Sequence, residues 1–395
     1  MSRLFLHIGS PKAGSSAIQA ALQGLASGPT AAAAGLQVLP PNPYGKPLPS
    51  GFVAARYLPQ DALPRYLQLR QQRDPEQFTL DLDAYQGVLL DRLMPLQAPG
   101  WPWQSAQRQA WNGTAVLSSE YLWRLPIEQI QALRRDFESL GVTEFRVMAY
   151  VREPVSAYGS FLQQWLRLST DLERYNPLHW HYQPRQHLEA WAAVFGSDLV
   201  VRPFVREQLR ERSVVSDCFA ALGAWVGCVL PVPELPVANE AFSTEELFLV
   251  QDLLRALPSE QWSDPQWPYR VARFRRLLRS AAQPLGCQPV RLQPWVACQV
   301  WQRHQHDMAW LEQRYGLTFP APAAALSQAQ APEQRSDFAL EQLLCPPESA
   351  ERTLALMLVK SKTSSWVAPT PKGPPVPTSH VKSRSWPIAP FLCRV

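Results

Sequence analysis

Short apolar runs alternate with helical patterns along most of the chain. Four runs predict buried strands: Arg3 to Ile8, Thr114 to Ser118, Phe145 to Val151 and Asp198 to Phe204. Strands that are separated by helices join through right-handed crossovers and pair in parallel. We therefore predict an α/β fold with a central, mostly parallel sheet flanked by helices in three layers.

Apolar residues that recur three or four positions apart predict the helices. The first begins at Ser15, and the others cover about 54–72, 80–96, 126–140, 155–168, 184–195, 214–222, 244–257, 269–282 and 295–315. The Gly-, Ala- and Pro-rich stretch from Ala26 to Gly51 predicts a long connection between elements.

The C-terminal part of the chain has a different character. From Phe319 onward, low-complexity and then Pro-, Ser- and Lys-rich sequence replaces the apolar periodicity, apart from one short helical pattern near 348–359. We predict one domain over residues 1–318 and a basic, largely disordered tail over residues 319–395.

Composition and charge narrow the class of protein. The hydrophobic fraction of 46% and the charged fraction of 18% are those of a globular protein. The net charge of +5 comes from the tail, because residues 353–395 hold six basic residues and no acid. The body of the chain is close to neutral, which argues against nucleic-acid binding by it.

The pattern of cysteines and the length of the apolar stretches bear on where in the cell the protein resides. The six cysteines show neither a C-x-x-C pair nor the spacing of a metal site. The sequence opens without a signal-peptide pattern and has no apolar window of about 18 residues. We expect reduced thiols, no membrane span and a cytoplasmic protein. The pairs His179/His181 and His304/His306 point apart on a helix, so we expect no metal site.

The first predicted strand leads into a loop bounded by glycines and then into a helix that begins with two hydroxyls. We call residues 9–16 (GSPKAGSS) the phosphate loop. Glycines let an anion approach the backbone, and the N–H groups of a helix N-terminus attract it. The spacing is close to G-x-x-x-x-G-K-[ST], but Ser15 stands where that motif has lysine, and the cation is Lys12.

A second candidate anion site follows the third predicted strand, in the sequence VREPVSAYGS. Arg152 offers a planar fork that suits phosphate, and Ser160 follows on the next helix. The alternative for Arg152 is a surface ion pair with Glu153 or another acid. Because ligands of parallel sheets bind beyond the carboxyl ends of the strands, we expect this segment and the phosphate loop to share one site.

Both segments resemble motifs of sulfotransferases that use 3′-phosphoadenosine-5′-phosphosulfate (PAPS), closest to the bacterial carbohydrate type. PKAGSS is similar to P-K-[ST]-G-[ST]-[ST], departing at Ala13, and VREPVSAYGS is similar to V-R-[DN]-P-x-x-x-x-x-S. The resemblance implies sulfuryl transfer from PAPS to a hydroxyl, in the carbohydrate type a sugar hydroxyl.

The same resemblance implies which residues bind the donor. Residues matching the first motif, with Gly9 before it, would hold the 5′-phosphosulfate: Gly9, Pro11, Lys12, Ala13, Gly14, Ser15 and Ser16. Arg152 and Ser160 would hold the 3′-phosphate. An R-K-G segment that completes this site in many members is not found, and Arg273, Arg275 and Arg276 are candidates in its place.

The chemistry calls for a cation at the leaving phosphate oxygen and a base for the acceptor hydroxyl, with no metal. Lys12 is the predicted cation. Glu120, just past the second predicted strand, is the first candidate base, the alternative being a carboxylate that stabilises a helix start. His7 is the second candidate, the alternative being a buried core histidine.

Two other functions stay open at this point. A nucleotide-dependent kinase of the phosphate-loop class would need Mg²⁺ and a carboxylate after an apolar strand. A non-catalytic nucleotide-binding adaptor would use the tail to recruit partners. Trp101, Trp103 and Trp111 could stack on a sugar, although large aromatics also serve as core or interface residues.

Overall fold

A computed structural model describes residues 2–26, 28–40, 42, 50–93, 112–233, 242–256, 267–321, 323, 338–349, 353, 355 and 357. The chain divides into two compact units. The first unit comprises Met1–Ala157, His181–Ala238 and His304–Pro320. The second unit comprises Tyr158–Trp180, Asn239–Arg303 and Ala321–Val395.

The first unit contains a five-stranded sheet. Its strands are β1 (Ser2–His7), β2 (Leu36–Val38), β3 (Gly113–Ser118), β4 (Val142–Val151) and β5 (Leu199–Pro203). The order is β2-β3-β1-β4-β5, and every neighbouring pair is parallel. The predicted α/β class with a parallel central sheet is confirmed. Because β1 lies between β3 and β4, the residues that follow these three strands meet at one edge.

Helices connect the strands and continue after them. They are α1 (Ser15–Ala26), α2 (Pro29–Ala33), α3 (Phe52–Ala55), α4 (Arg65–Arg73), α5 (Pro75–Leu93), α6 (Ile127–Ser139), α7 (Pro154–Leu166), α8 (Pro184–Phe195), α9 (Val214–Val226), α10 (Thr244–Arg255), α11 (Trp267–Ala282), α12 (Pro294–Tyr315) and α13 (Leu340–Leu343). In the part of the chain that the structure describes, no helix combines the length and the apolar character needed to cross a bilayer.

Successive side chains of each strand point to opposite faces of the sheet, and helices pack on both faces, which gives the first unit three layers. Phe5 of β1 and Met148 of β4 share one hydrophobic cluster with Leu22 of α1 and Phe219 of α9. The opposite face carries α6 and α8, whose contacts with β4 include Phe195 packed on Phe145, ring centroids 5.4 Å apart. Helices thus cover both faces of the sheet and leave its carboxyl edge for a ligand.

Three sequence predictions in this unit differ from the structure. The connection from Ala26 to Gly51 contains α2 and the edge strand β2, which pairs with β3 through only three residues. The helix predicted at 54–72 is two helices, because Pro59 and Pro64 disfavour helical geometry in the residues before them. The helix predicted from residue 80 begins earlier, at Pro75, whose missing N–H is harmless in a first turn.

The second unit is helical around α10, α11 and α13. The Gln251 side chain donates hydrogen bonds to the carbonyls of Leu166 and Ser169. Residues 338–349, within the region predicted as a disordered tail, are described; they include α13 (Leu340–Leu343), in which Leu340 and Leu343 are fully buried. Of the short helical pattern predicted near 348–359, Thr353, Ala355 and Met357 are helical, and the Thr353 N–H donates to the Ser349 carbonyl at 3.2 Å. Most of the remaining tail lies outside the described residues, as do Trp101, Trp103 and Trp111.

Candidate functional site

The phosphate loop runs from the end of β1 to the first turn of α1. Gly9 and Gly14 have φ angles of +79° and +85°, which favour glycine. A Cβ on Gly9 would lie 3.0 Å from the Cα of Glu120, and one on Gly14 would lie 2.7 Å from Val214. Lys12 also has a positive φ, +66°. Both glycines are therefore required by backbone angle and by space.

The start of α1 presents hydrogen-bond donors. The first N–H groups of a helix have no intrahelical acceptor, and α1 has no acid in its first turn. Ser15 is 3% exposed, and its Oγ has no hydrogen-bond partner among the described residues. An orphaned buried hydroxyl at a helix start is the arrangement expected where a ligand supplies the missing partner.

Arg152 follows β4 and reaches back to this loop. Its Nη1 donates to the Lys12 carbonyl at 3.0 Å, and its Nε donates to the Ser156 hydroxyl at 2.8 Å. The guanidinium lies over the Phe204 ring, 5.5 Å from the centroid. Two segments separated by 140 residues therefore meet.

No acidic side chain forms a salt bridge with Arg152 in the part of the chain that the structure describes. The ion pair with Glu153, considered as the alternative, is not formed, because that carboxylate accepts the backbone N–H groups of Val155 and Ser156 at the start of α7. Burial lowers the pKa of Arg152. The charge of Glu153 partly offsets this effect. A half-buried cation that no salt bridge neutralises becomes more favourable when an anion binds beside it.

Tyr182 joins the two segments and was not anticipated from the sequence. Its hydroxyl accepts a hydrogen bond from the backbone N–H of Arg152 at 3.3 Å and forms a hydrogen bond with the Ser10 hydroxyl at 3.2 Å. Its own N–H donates to Nε2 of His304 at 2.9 Å. Burial raises the pKa of Tyr182 to about 12, so the phenol is neutral and acts as a hydrogen-bonding link.

Glu120 opens a short 3₁₀ helix directly after β3. The backbone turns toward the loop there, since the Ser119 N–H donates to the His7 carbonyl at 2.9 Å. The close approach of Glu120 to Gly9 places it beside the phosphate loop, and it is half-buried. Both its candidate role as a base and the alternative as a helix-start carboxylate stay open.

His7 lies at the end of β1 and is fully buried. Its Nδ1 and the Ser118 hydroxyl are 2.7 Å apart, while Nε2 has no partner among the described residues. Burial lowers the pKa of His7 to about 3, so the imidazole is neutral near pH 7. This burial agrees with the alternative of a core histidine. It also gives the hydroxyl of an acceptor substrate no direct access to the ring.

The other candidate donor-binding residues lie in the second unit. Ser160 is half-buried in α7, four residues after Ser156 and so on the same helical face. Arg273, Arg275 and Arg276 belong to α11. Their assignment to the donor stays a prediction. The described residues contain no group of three or more His, Cys, Asp or Glu side chains that could hold a metal ion.

The site of the first unit offers two cationic side chains, helix N–H groups and buried hydroxyls, with Glu120 at its margin. Such a set suits a phosphate or sulfate ester better than a neutral ligand. No protein-family model, no curated protein and no solved structure matches this chain. The function is therefore inferred from the chemistry of these residues.

Proposed function

We propose that this protein is a sulfotransferase that transfers a sulfuryl group from PAPS to a hydroxyl, in our proposal that of a carbohydrate. The observation that carries the proposal is the position of Arg152. Its guanidinium forms no salt bridge in the described chain and donates to the carbonyl of Lys12, the cation of the phosphate loop. This contact between the two segments with sulfotransferase-like spacing supports the proposal that they bind one donor.

The residues of the site fit the proposed donor. PAPS would supply the sulfuryl group and leave as a bisphosphorylated nucleotide. Lys12, Ser15 and Ser16 would hold its 5′ end, where the orphaned Ser15 Oγ and the helix N–H groups need an acceptor. Arg152 would balance the charge of the 3′-phosphate, with Ser160 as a further ligand.

The transfer also requires stabilisation of the leaving phosphate and a base for the acceptor hydroxyl, and two side chains are proposed for these tasks. An ammonium group at the bridging oxygen stabilises the negative charge that develops on the leaving phosphate, the role proposed for Lys12. Glu120 is the proposed base for the acceptor hydroxyl, supported by its closeness to Gly9. The sugar acceptor and the cytoplasmic location rest on the sequence alone.

A thermal-shift titration tests donor binding. We expect 3′-phosphoadenosine-5′-phosphate (PAP) to raise the melting temperature, because a ligand at 100 times its Kd stabilises the native state by about 2.7 kcal/mol. ATP with Mg²⁺ should not do so. Stabilisation by ATP with Mg²⁺ alone would favour the kinase, and no response to either nucleotide would refute the proposal.

Replacing Lys12 by Ala separates an enzyme from an adaptor. Loss of one charged group that stabilises a transition state lowers kcat by about 10²–10³. We expect this loss in an assay of nucleotide bisphosphate release and sugar sulfate formation, with PAPS and a panel of sugars, and an unchanged circular dichroism spectrum. The matched control is Arg185→Ala, since Arg185 is a half-exposed cation of the same unit, paired with Glu189. Equal turnover of the Lys12 variant and the control would contradict the assignment.

A further inference from the structure

Three guanidinium groups surround one aromatic ring in the second unit. The Cζ atoms of Arg167, Arg279 and Arg275 lie 4.5 Å, 4.7 Å and 5.2 Å from the centroid of Phe242. Arg275 and Arg279 are four residues apart on α11 and so share a helical face. Phe242 is buried, and it fixes the planes of the arginines by cation–π contact. We call these four residues the arginine cluster.

The nearby carboxylate of Glu246 is already engaged. One of its oxygens accepts from Arg279 Nε at 2.9 Å. The other accepts from the Ser243 N–H at 2.8 Å and so caps α10. Residues 267–282, which form α11, contain five arginines and no acid. Both Glu246 oxygens thus already accept a hydrogen bond, and none links this carboxylate to Arg275 in the described chain.

Arg275 is the member of the cluster that lacks a polar partner. It is half-buried, and its Nε is buried with no hydrogen bond. Within the described ranges, neither a hydrogen bond nor an ion pair reaches its guanidinium. Burial, and next the charge of Arg279, lower its pKa to about 10, so it stays charged near pH 7. An ionic group held in this way is costly unless an anion joins it.

We propose that the arginine cluster binds an oxyanion group, the sulfate, phosphate or carboxylate of an anionic ligand, and that this site is distinct from the phosphate loop. The planar fork of a guanidinium matches the oxygens of such a group, and Arg279 on the same face adds a second positive charge. All four residues belong to the second unit. The site does not depend on the proposed sulfotransferase activity, and it competes with the assignment of Arg275 to the donor 3′-phosphate.

Calorimetric titration with sodium sulfate, against sodium chloride of equal ionic strength, tests the site. The titration is made in the Lys12→Ala background, which weakens anion binding at the phosphate loop, and each variant is compared with the parent in that same background. Changing Arg275 to Met keeps the contact with Phe242 but removes the fork, and we expect the Kd for sulfate to rise at least about tenfold. Arg255→Met is the matched control, because Arg255 is an exposed arginine of α10 in the same unit and loses the same charge.

The melting temperature gives a second readout, in which Arg275→Met is expected to gain stability without sulfate and to miss the gain that sulfate gives the parent. Without sulfate, Arg275→Met should melt at a higher temperature than the parent, since an unbalanced charge has been removed. With sulfate, the parent should gain stability and the variant should not. If Arg275→Met does not fold, Arg275→Lys serves instead, and it should bind sulfate more weakly than the parent because it lacks the planar fork.

A sugar sulfate titrated in parallel identifies the source of the oxyanion. Tighter binding than that of inorganic sulfate, lost with Arg275→Met, supports an anionic carbohydrate, and equal binding supports a free anion. The proposal is overturned if the Arg275 variants bind sulfate like the parent or if Arg255→Met loses as much affinity. It is also overturned if Arg275→Met abolishes the response to PAP in the otherwise wild-type chain, which would place this arginine at the donor.

Discussion

The guanidinium of Arg152 combines two tasks at the phosphate loop. Its hydrogen bonds to the Lys12 carbonyl and the Ser156 hydroxyl fix its position, and they leave Nη2 without a partner in the described part of the chain. A lysine at this position would keep the charge but could not make both bonds and also present a donor to a ligand. The geometry of the fork, rather than its charge alone, should therefore set the affinity for an anion.

Changing Arg152 to Lys is expected to weaken PAP binding about tenfold or more, because a charge-assisted hydrogen bond contributes about 1.5–3 kcal/mol. The Kd follows from the dependence of the melting temperature on PAP concentration. Arg185→Lys is the control, as a half-exposed arginine whose partner Glu189 can pair with lysine too. Equal Kd values for the two variants would show that the fork does not contact the nucleotide.

Because His7 is buried, the stability of the folded protein depends on pH, and the lowered pKa sets the direction of this dependence. Its pKa of about 3 in the folded state lies below the ordinary 6.5. Between these values the unfolded chain binds a proton that the native state does not, so stability is lost as the pH falls below 6.5. Burial lowers the pKa of His187 as well, to about 4, and adds a loss of the same sign.

Each of these histidines should lower the free energy of unfolding by about 2 kcal/mol between pH 7 and pH 5. Urea unfolding at the two pH values measures the loss, and His7→Gln should reduce it by about half. Retention of the full loss in the glutamine variant would mean that the ring can be protonated in the native state.

The turn between β1 and α1 could be predicted because its signals are local. The strand, the glycines and the hydroxyls follow one another in a single stretch, and the backbone angles of Gly9 and Gly14 are those such a turn requires. The edge strand β2 gives a weaker signal, since it is three residues long in a Gly-, Ala- and Pro-rich segment. Its formation depends on pairing with β3, which lies more than 70 residues further along the chain.

Gly14 tests how strictly the turn is defined. In Gly14→Ala, the new methyl group would lie 2.7 Å from Val214 at a φ of +85°, so we expect a loss of about 2 kcal/mol or more in unfolding free energy. Gly87→Ala is the control, because no atom lies near its Cβ position in α5, and it should be neutral or stabilising by up to about 1 kcal/mol. Urea unfolding measures both changes.

Adding Val214→Ala to Gly14→Ala separates the two causes of this loss. The smaller side chain removes the clash but not the backbone strain, so the double variant should recover part of the stability lost. If Gly14→Ala is as stable as Gly87→Ala, the loop does not need the conformation observed.

At the scale of the whole molecule, each unit carries its own cationic cluster in a chain whose body is nearly neutral. The phosphate loop with Arg152 belongs to the first unit, and the arginine cluster belongs to the second. The phosphate loop and Arg152 could both be predicted from the sequence because each directly follows a predicted strand. The sequence did not predict Tyr182, which lies 172 residues from Ser10, because only the folded backbone brings these residues together.

Tyr182 therefore links distant parts of the chain at the site. Changing it to Phe would leave the Ser10 hydroxyl and the Arg152 N–H without their partner, and each unsatisfied buried group costs about 1–3 kcal/mol. We expect Tyr182→Phe to lower the free energy of unfolding by about 2 kcal/mol and to weaken PAP binding, because the loop and Arg152 lose a common anchor. Tyr315→Phe is the matched control, since the Tyr315 hydroxyl is buried without a partner in the described chain and its removal should cost little. Urea unfolding and PAP titration of both variants measure the difference, and identical behaviour of the two would show that the Tyr182 hydroxyl anchors neither segment.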